Sequence, residues 1–347
     1  MVARSLTDRA PSGLGHCRFP VLPSRMAVGC FVSAGRSLEA AISRVRLAEE
    51  LGYEACYATH IAGRESLTLL TIYASATERI RLGTGVVPIY TRTPATMAQT
   101  AATLDEFSGG RLNLGLGISH RPVVEGWHGQ TIDSPAKEMR EYVAIVRAIL
   151  RGEEPPAGEK WQTGFRLAGI EPRPSLPIYI AALSPAMLRA AGEIADGVLL
   201  WLCNPNYIRT VVVPEVTKGR EKAGKTLDGF DIVAAVPSAV TDDKADAFNT
   251  LRGDLIPYFS LPFYRAMIER SGFDDELANY DAAAGDVDAM KRAISDDFLG
   301  DLAAVGGPDD VRYGIQRYLE AGATSPCVGP IPKTDFEATL RAAAPNG

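Results

Sequence analysis

Apolar and polar positions in the first half of the chain fall into two alternating kinds of segment. Short apolar runs of strand character open near Ala27 (AVGCFV), Glu54 (EACYA), Arg81 (RLGTGVV) and Leu112 (LNLGLG). Between them apolar residues recur at helical spacing. Over residues 37–51 they are Leu38, Ala41, Ile42, Val45, Leu47, Ala48 and Leu51, and Gly52 ends the pattern. Residues 67–77 and 94–107 repeat it, the second closed by Gly109-Gly110. Strand, helix and strand at this repeat length predict βαβ units and a parallel sheet.

The second half continues less evenly. A helix over 136–150 leads into a Pro- and Gly-rich loop at 152–176. Strands are expected at 178–181, 197–201, 230–236 and 326–328, with helices over 185–195, 206–223, 308–321 and 335–344. Residues 242–301 are helical but irregular and read as an insertion. The rhythm alone fits a doubly wound sheet or a closed barrel. Eight strands, each followed by a helix, favour a (β/α)8 TIM barrel with an insertion before the last strand–helix unit. Residues 26–347 then form one domain, preceded by a flexible tail at 1–25.

Composition narrows the function classes. Apolar residues make up 46% of the chain and charged residues 22%, which suits a large core. The net charge of −6 and the lack of a Lys/Arg cluster argue against nucleic acid or an anionic membrane as partner. No apolar run approaches the ~20 residues of a membrane span. Residues 1–25 lack the apolar stretch of a secretion signal. Cys17, Cys30, Cys56, Cys203 and Cys327 lie far apart, as expected of reduced cytoplasmic thiols rather than a disulfide framework or metal site.

Two phosphate-binding motifs fail on context. Gly115-Leu116-Gly117 follows a strand, but the third glycine of a dinucleotide fingerprint is replaced by His120, and the next helix is expected only near Ala136. Residues 219–226, GREKAGKT, match the P-loop pattern letter for letter. Here a helix precedes the motif and a strand follows, the reverse of what phosphate binding needs. Lys and Gly are the usual residues at a helix C-terminus.

In a barrel, chemistry sits where strands end. Past the second strand comes Thr59-His60, where a histidine either exchanges protons near neutral pH or is a satisfied loop residue. Past the third, Gly85-Val86 brings backbone close to whatever fills the mouth, or simply turns the chain. Past the fourth, Ile118, Ser119, His120 and Arg121 supply small groups, a proton donor and a cation, with Glu125, Trp127 and His128 beyond. Past the fifth, Ala182, Leu183 and Ser184 lead into a helix whose N-cap and Pro185 leave free N–H groups, an ordinary cap or a phosphate seat. No Lys lies at a predicted strand end, which weakens the alternative of a phosphate-binding lyase or isomerase barrel.

Taken together, residues 77–129 (TERIRLGTGVVPIYTRTPATMAQTAATLDEFSGGRLNLGLGISHRPVVEGWHG) and 178–201 (IYIAALSPAMLRAAGEIADGVLLW) resemble the bacterial-luciferase-like superfamily of flavin monooxygenases and coenzyme F420-dependent oxidoreductases. GGPDDVRYGIQRYLEAGA at 306–323 is a weaker echo. The resemblance implies the same barrel with a cofactor at the strand C-termini. It implies that His60 transfers a proton, assisted by His120 or Arg121. Thr59 falls where F420 enzymes often carry an acidic residue. The resemblance also implies that Gly85-Val86 backs the ring, often through a non-prolyl cis peptide. It further implies that Ile118 and Ser119 line the ring edge, and that Ala182, Leu183 and Ser184 receive the phosphate. Some members carry glutamate where His120 stands. The GTGVVPIYTRTP and GRLNLGLG stretches look closer to the F420 branch. That implies hydride transfer to or from a small organic substrate, and a homodimer or higher oligomer. The alternatives are an FMN monooxygenase served by a partner reductase, or a flavin-binding barrel without catalysis.

Overall fold

The computed structural model describes residues 27–33 and 35–345; the tail at 1–25 lies outside them. Its strands are β1 (Gly29–Phe31), β2 (Ala55–Ala58), β3 (Arg81–Thr84), β4 (Val87–Pro88), β5 (Leu112–Gly117), β6 (Ile178–Ala181), β7 (Gly197–Leu200), β8 (Asp231–Val240), β9 (Ala304–Gly306) and β10 (Ser325–Pro330). The sheet runs β10-β1-β2-β3-β5-β6-β7-β8, and β8 pairs with β10 to close it, all in parallel. β4 resumes the third barrel strand after a break and pairs with β5. With helices on the connections, this is the (β/α)8 barrel expected from the strand rhythm.

The period-2 alternation of a strand divides the core into two layers. Ala55, Tyr57, Tyr179, Leu199, Val233 and Cys327 fill the lumen, with Phe31 and Val86 packed against them. Their neighbours Cys30, Cys56, Ile178, Ile180, Val198 and Ala234 face outward and join the larger core beneath the helices. At the fully parallel register, Phe31 stands beside Tyr57, Ala58 beside Thr84, and Ala181 beside Leu199, so the strand C-termini form one rim.

Several elements depart from the sequence reading. A helix occupies Arg121–His128, where a loop reaching to Ala136 was expected. The helix thus begins closer to Gly115-Leu116-Gly117 than expected, but His120 in place of the third glycine and the closed barrel both argue against a dinucleotide turn. β8 runs to Val240 and pairs along its outer end with β9, which no strand pattern announced. The helix expected over 206–223 is broken into a turn at Pro205–Tyr207, a π-helical stretch at Ile208–Val212 and the helix Val213–Lys222. The P-loop-like motif indeed straddles that helix's C-terminus, where Gly224 adopts φ 69°. Gly219 is required for another reason: a Cβ there would sit 2.1 Å from the Arg189 carbonyl oxygen of the neighbouring helix. Among the described residues no helix is long and apolar enough to cross a membrane.

Candidate functional site

Parallel closure brings the segments after β2, β3, β5 and β6 to a common rim. His60, half-buried, has a partner for either protonation state. Its Nδ1 lies 3.0 Å from the Ser66 hydroxyl and 3.5 Å from the Ser66 N–H, which suit a neutral ring. The same nitrogen is 3.4 Å from the Glu65 carboxylate, which suits a protonated one. Glu65 caps the helix Ser66–Ala76, accepting from the Leu67 and Thr68 N–H groups, and also meets Arg92 at 3.2 Å. Burial alone would raise the Glu65 carboxyl, but hydrogen bonds from His60, the Thr68 N–H and hydroxyl, and the Leu67 N–H hold it well below the usual carboxylate range. Thr59 is exposed beside it.

The Gly85–Val86 peptide is cis. The Val86 side chain lies over Gly117, where a Cβ would come within 2.5 Å of it. This closes the lumen with an apolar floor of Val86 and Phe31, the latter ring 5.8 Å from Tyr57. The break between β3 and β4 interrupts the ladder with β5, and Thr84 spans it. Its hydroxyl donates to the Gly115 carbonyl at 2.7 Å and accepts from the Gly115 N–H at 2.8 Å.

Ile118, Ser119 and His120 are half-buried after β5. Ser119 adopts φ 62°, as do Leu202 after β7 (61°) and Lys333 after β10 (68°). Left-handed torsions at non-glycine residues cost energy and cluster where function demands a shape. All three stand on this rim. Lys333 is exposed there, so the rim does carry a lysine just past the eighth barrel strand, beyond the strand boundary read from sequence. The His120 ring lies 5.6 Å from Tyr264 and 6.2 Å from Tyr258. Burial pushes its pKa below the ordinary 6.5, so the ring is neutral at physiological pH. Arg121 turns away: its guanidinium pairs with Glu125 and donates to the Ile132 carbonyl at 2.7 Å.

After β6, Ala182 is buried, and the Leu183 carbonyl accepts from the Tyr207 hydroxyl at 2.7 Å. Ser184 caps the helix Pro185–Ile194 by accepting from the Met187 N–H at 3.3 Å. Pro185 has no N–H, so the first turn leaves the Ala186 N–H without an intrahelical acceptor.

The structure thus brings His60, Gly85-Val86, Ile118 to His120 and Ala182 to Ser184 to one end of the barrel and directs the Arg121 head elsewhere. Glu65 and Arg92 escaped the sequence reading, although Glu65 sits where an N-cap belongs. Trp201, Tyr258 and Tyr264 escaped it too, the two tyrosines because the insertion offers no strand-end signal.

Known proteins match this chain along most of its length. Residues 24–325 match the family described as luciferase-like monooxygenase. A 5,10-methylenetetrahydromethanopterin reductase of Archaeoglobus fulgidus is 33% identical over 294 residues, covering 82% of this chain and 87% of the relative. The solved coenzyme F420-dependent tetrahydromethanopterin reductase of Methanopyrus kandleri superposes with a TM-score of 0.78 at 26% identity, covering 92% of this chain and 98% of that one. The oxygenating constituent of 3,6-diketocamphane monooxygenase from Pseudomonas putida, solved with FMN, shares the fold at 19% identity and a TM-score of 0.68, covering 92% and 97%. The chain belongs to the luciferase-like monooxygenase family.

Proposed function

We propose that this chain is an F420-dependent oxidoreductase acting on a small organic substrate, with His60 as its acid/base residue. The observation that carries the reading is the convergence of the His60–Glu65 pair, the Val86 floor and the Ser184 cap on one rim. The relatives named for F420 or for a methanopterin reductase support it.

The residues present fit such a cofactor. Val86 and Phe31 offer an apolar floor to one face of a flat ring. Ile118 and Ser119 would border the ring edge, and Thr59 would lie beside it without supplying a carboxylate. The free N–H at the start of helix Pro185–Ile194 and the Ala182, Leu183 and Ser184 turn would take the phosphate at a positive helix end. When bound, the deazaflavin supplies or accepts a hydride. His60 would give or take the accompanying proton, since its Nδ1 is held by Ser66 and Glu65 and leaves Nε2 for the exchange. Neutral His120 would serve as a hydrogen-bonding partner for the substrate, whereas the Arg121 head, held by Glu125 and the Ile132 carbonyl, is given no part in the step.

Titrating the purified protein with F420 and with FMN, followed by cofactor fluorescence, tests the assignment. Preferential F420 binding is expected. Preference for FMN, with oxygen uptake when substrate and a reductase are added, would establish the monooxygenase reading instead.

A further inference from the structure

We propose that the helices inserted between β8 and β9 supply an aromatic clamp, so that the substrate of this site is an uncharged, planar, ring-bearing molecule. This rests on the oxidoreductase reading above and names its substrate class.

Four rings join the rim to the insertion. His120 follows β5 and Trp201 follows β7, while Tyr258 lies on helix Lys244–Phe259 and Tyr264 on helix Pro262–Arg270. Trp201 and Tyr258 have centroids 6.1 Å apart, and Tyr258 and Tyr264 4.7 Å. Tyr264 stands 5.6 Å from His120, which closes the set. The tilts are steep: 65° for both tyrosine–tyrosine and tyrosine–tryptophan pairs, and 57° for Tyr264 against His120. In an edge-to-face pair one ring covers a face of the other while keeping both of its own faces clear of that partner, and a face left clear is what a further flat ring stacks upon.

The cluster also holds an unused donor. The Trp201 indole Nε1 is buried with no hydrogen-bond partner among the described residues. The Tyr258 hydroxyl is near enough to feel that N–H, but the pair lacks hydrogen-bond geometry. A buried N–H left unpaired costs about 1–3 kcal/mol, and a carbonyl oxygen on a bound ring would satisfy it.

Charge points the same way. Burial keeps His120 neutral and both phenols protonated. The nearby Arg121 is occupied by Glu125 and the Ile132 carbonyl. Asp254, one turn before Tyr258 on the same helix, adds a carboxyl on this side. Lys333 is the cation on this side and lies within reach of Asp254, so a phosphorylated sugar would meet aromatic faces and an already opposed charge where it needs free cations.

The test uses the F420-loaded protein and two probes, menadione as an uncharged fused ring and glucose 6-phosphate as an anion, with dissociation constants measured by calorimetry. Menadione is expected to bind and the sugar phosphate not. Tyr258→Leu and Tyr264→Leu are each expected to weaken menadione by about tenfold while F420 affinity stays at the wild-type value. Tyr264 is nearly buried and its loss could unsettle the fold. The partly exposed Tyr258 is the safer variant, and unchanged F420 binding certifies either one. Tighter binding of glucose 6-phosphate than of menadione, or menadione affinity unaltered in both variants, would overturn the clamp. Failure of the wild type to bind F420 would overturn the cofactor reading instead, and menadione titrated without cofactor would still decide the clamp.

Discussion

Thr84 is the side chain whose removal should reveal how the cofactor floor is held. β3 pairs with β5 only at Leu82–Leu112 and Gly83–Asn113, and pairing resumes at Val87–Leu116. In the gap, the Thr84 hydroxyl serves both the N–H and the carbonyl of Gly115, and Thr84 is wholly buried. Thr84→Val keeps the shape and deletes both hydrogen bonds. Each buried main-chain group left without a partner costs about 1–3 kcal/mol, so the substitution should destabilise by about 2–6 kcal/mol. Thr84→Ser keeps the hydroxyl and loses one methyl, at about 1 kcal/mol. Urea unfolding followed by circular dichroism would compare the two, and F420 titration should show Val weakening the cofactor more than Ser, because Thr84 directly precedes Gly85-Val86. A valine variant no less stable than the serine variant would refute the idea that the hydroxyl stands in for the missing ladder.

Three further outcomes follow from the geometry. His60→Ala should lower turnover by about 10²–10⁴-fold with cofactor affinity little changed; steady-state rates equal to wild type would remove His60 from the chemistry. The Glu65 carboxyl titrates below its ordinary range in the folded state, so its stabilisation is complete above about pH 4.3 and is lost as pH falls further. Melting temperatures between pH 3 and 7 should therefore fall less steeply at the acid end in Glu65→Gln than in wild type, and parallel curves would contradict this. Gly219→Ala places a Cβ 2.1 Å from a main-chain oxygen of the adjacent helix and should cost about 1–3 kcal/mol by overpacking. Gly253→Ala, inside helix Lys244–Phe259 with open space around it, should gain about 0.5–1 kcal/mol. Denaturation midpoints that move in the same direction for both would show that the helix spacing is not what holds Gly219 in place.

The barrel was legible because each of its strands is a buried apolar run bounded by a helix of clear periodicity. Where that signal weakens, reading failed. β9 is three residues long and earns its strand character from the outer end of β8, a tertiary partner invisible in local pattern. Helix Arg121–His128 has a proline at its second position and carries a glycine and a tryptophan, so its short apolar stripe resembled a loop. The rim positions were found because strand ends are marked in the sequence, whereas the groups that set their behaviour were not. Glu65 acts on His60 from a helix cap, and Tyr258 and Tyr264 approach His120 from helices more than a hundred residues further along the chain. Such proximity is created by closure of the barrel and by no local preference.

The doubled pairing of β8 has a consequence for how this architecture can diversify. Ser238 to Val240 lie alongside Ala304 to Gly306, so the chain leaves the barrel and re-enters it at adjacent points, held about 4.8 Å apart by a main-chain ladder. Everything between is an excursion with clasped ends. Its earlier helices can be exchanged, lengthened or repopulated with other side chains without breaking the strand ladder of the eight-strand cylinder, whereas the last, Asp296–Leu302, is tied to the barrel through Arg317, Tyr318 and Asn204. Grafting the corresponding segment of a relative between Val240 and Ser295, which leaves Asp296–Leu302 in place, is thus a direct route to new substrate choice on an unchanged redox platform.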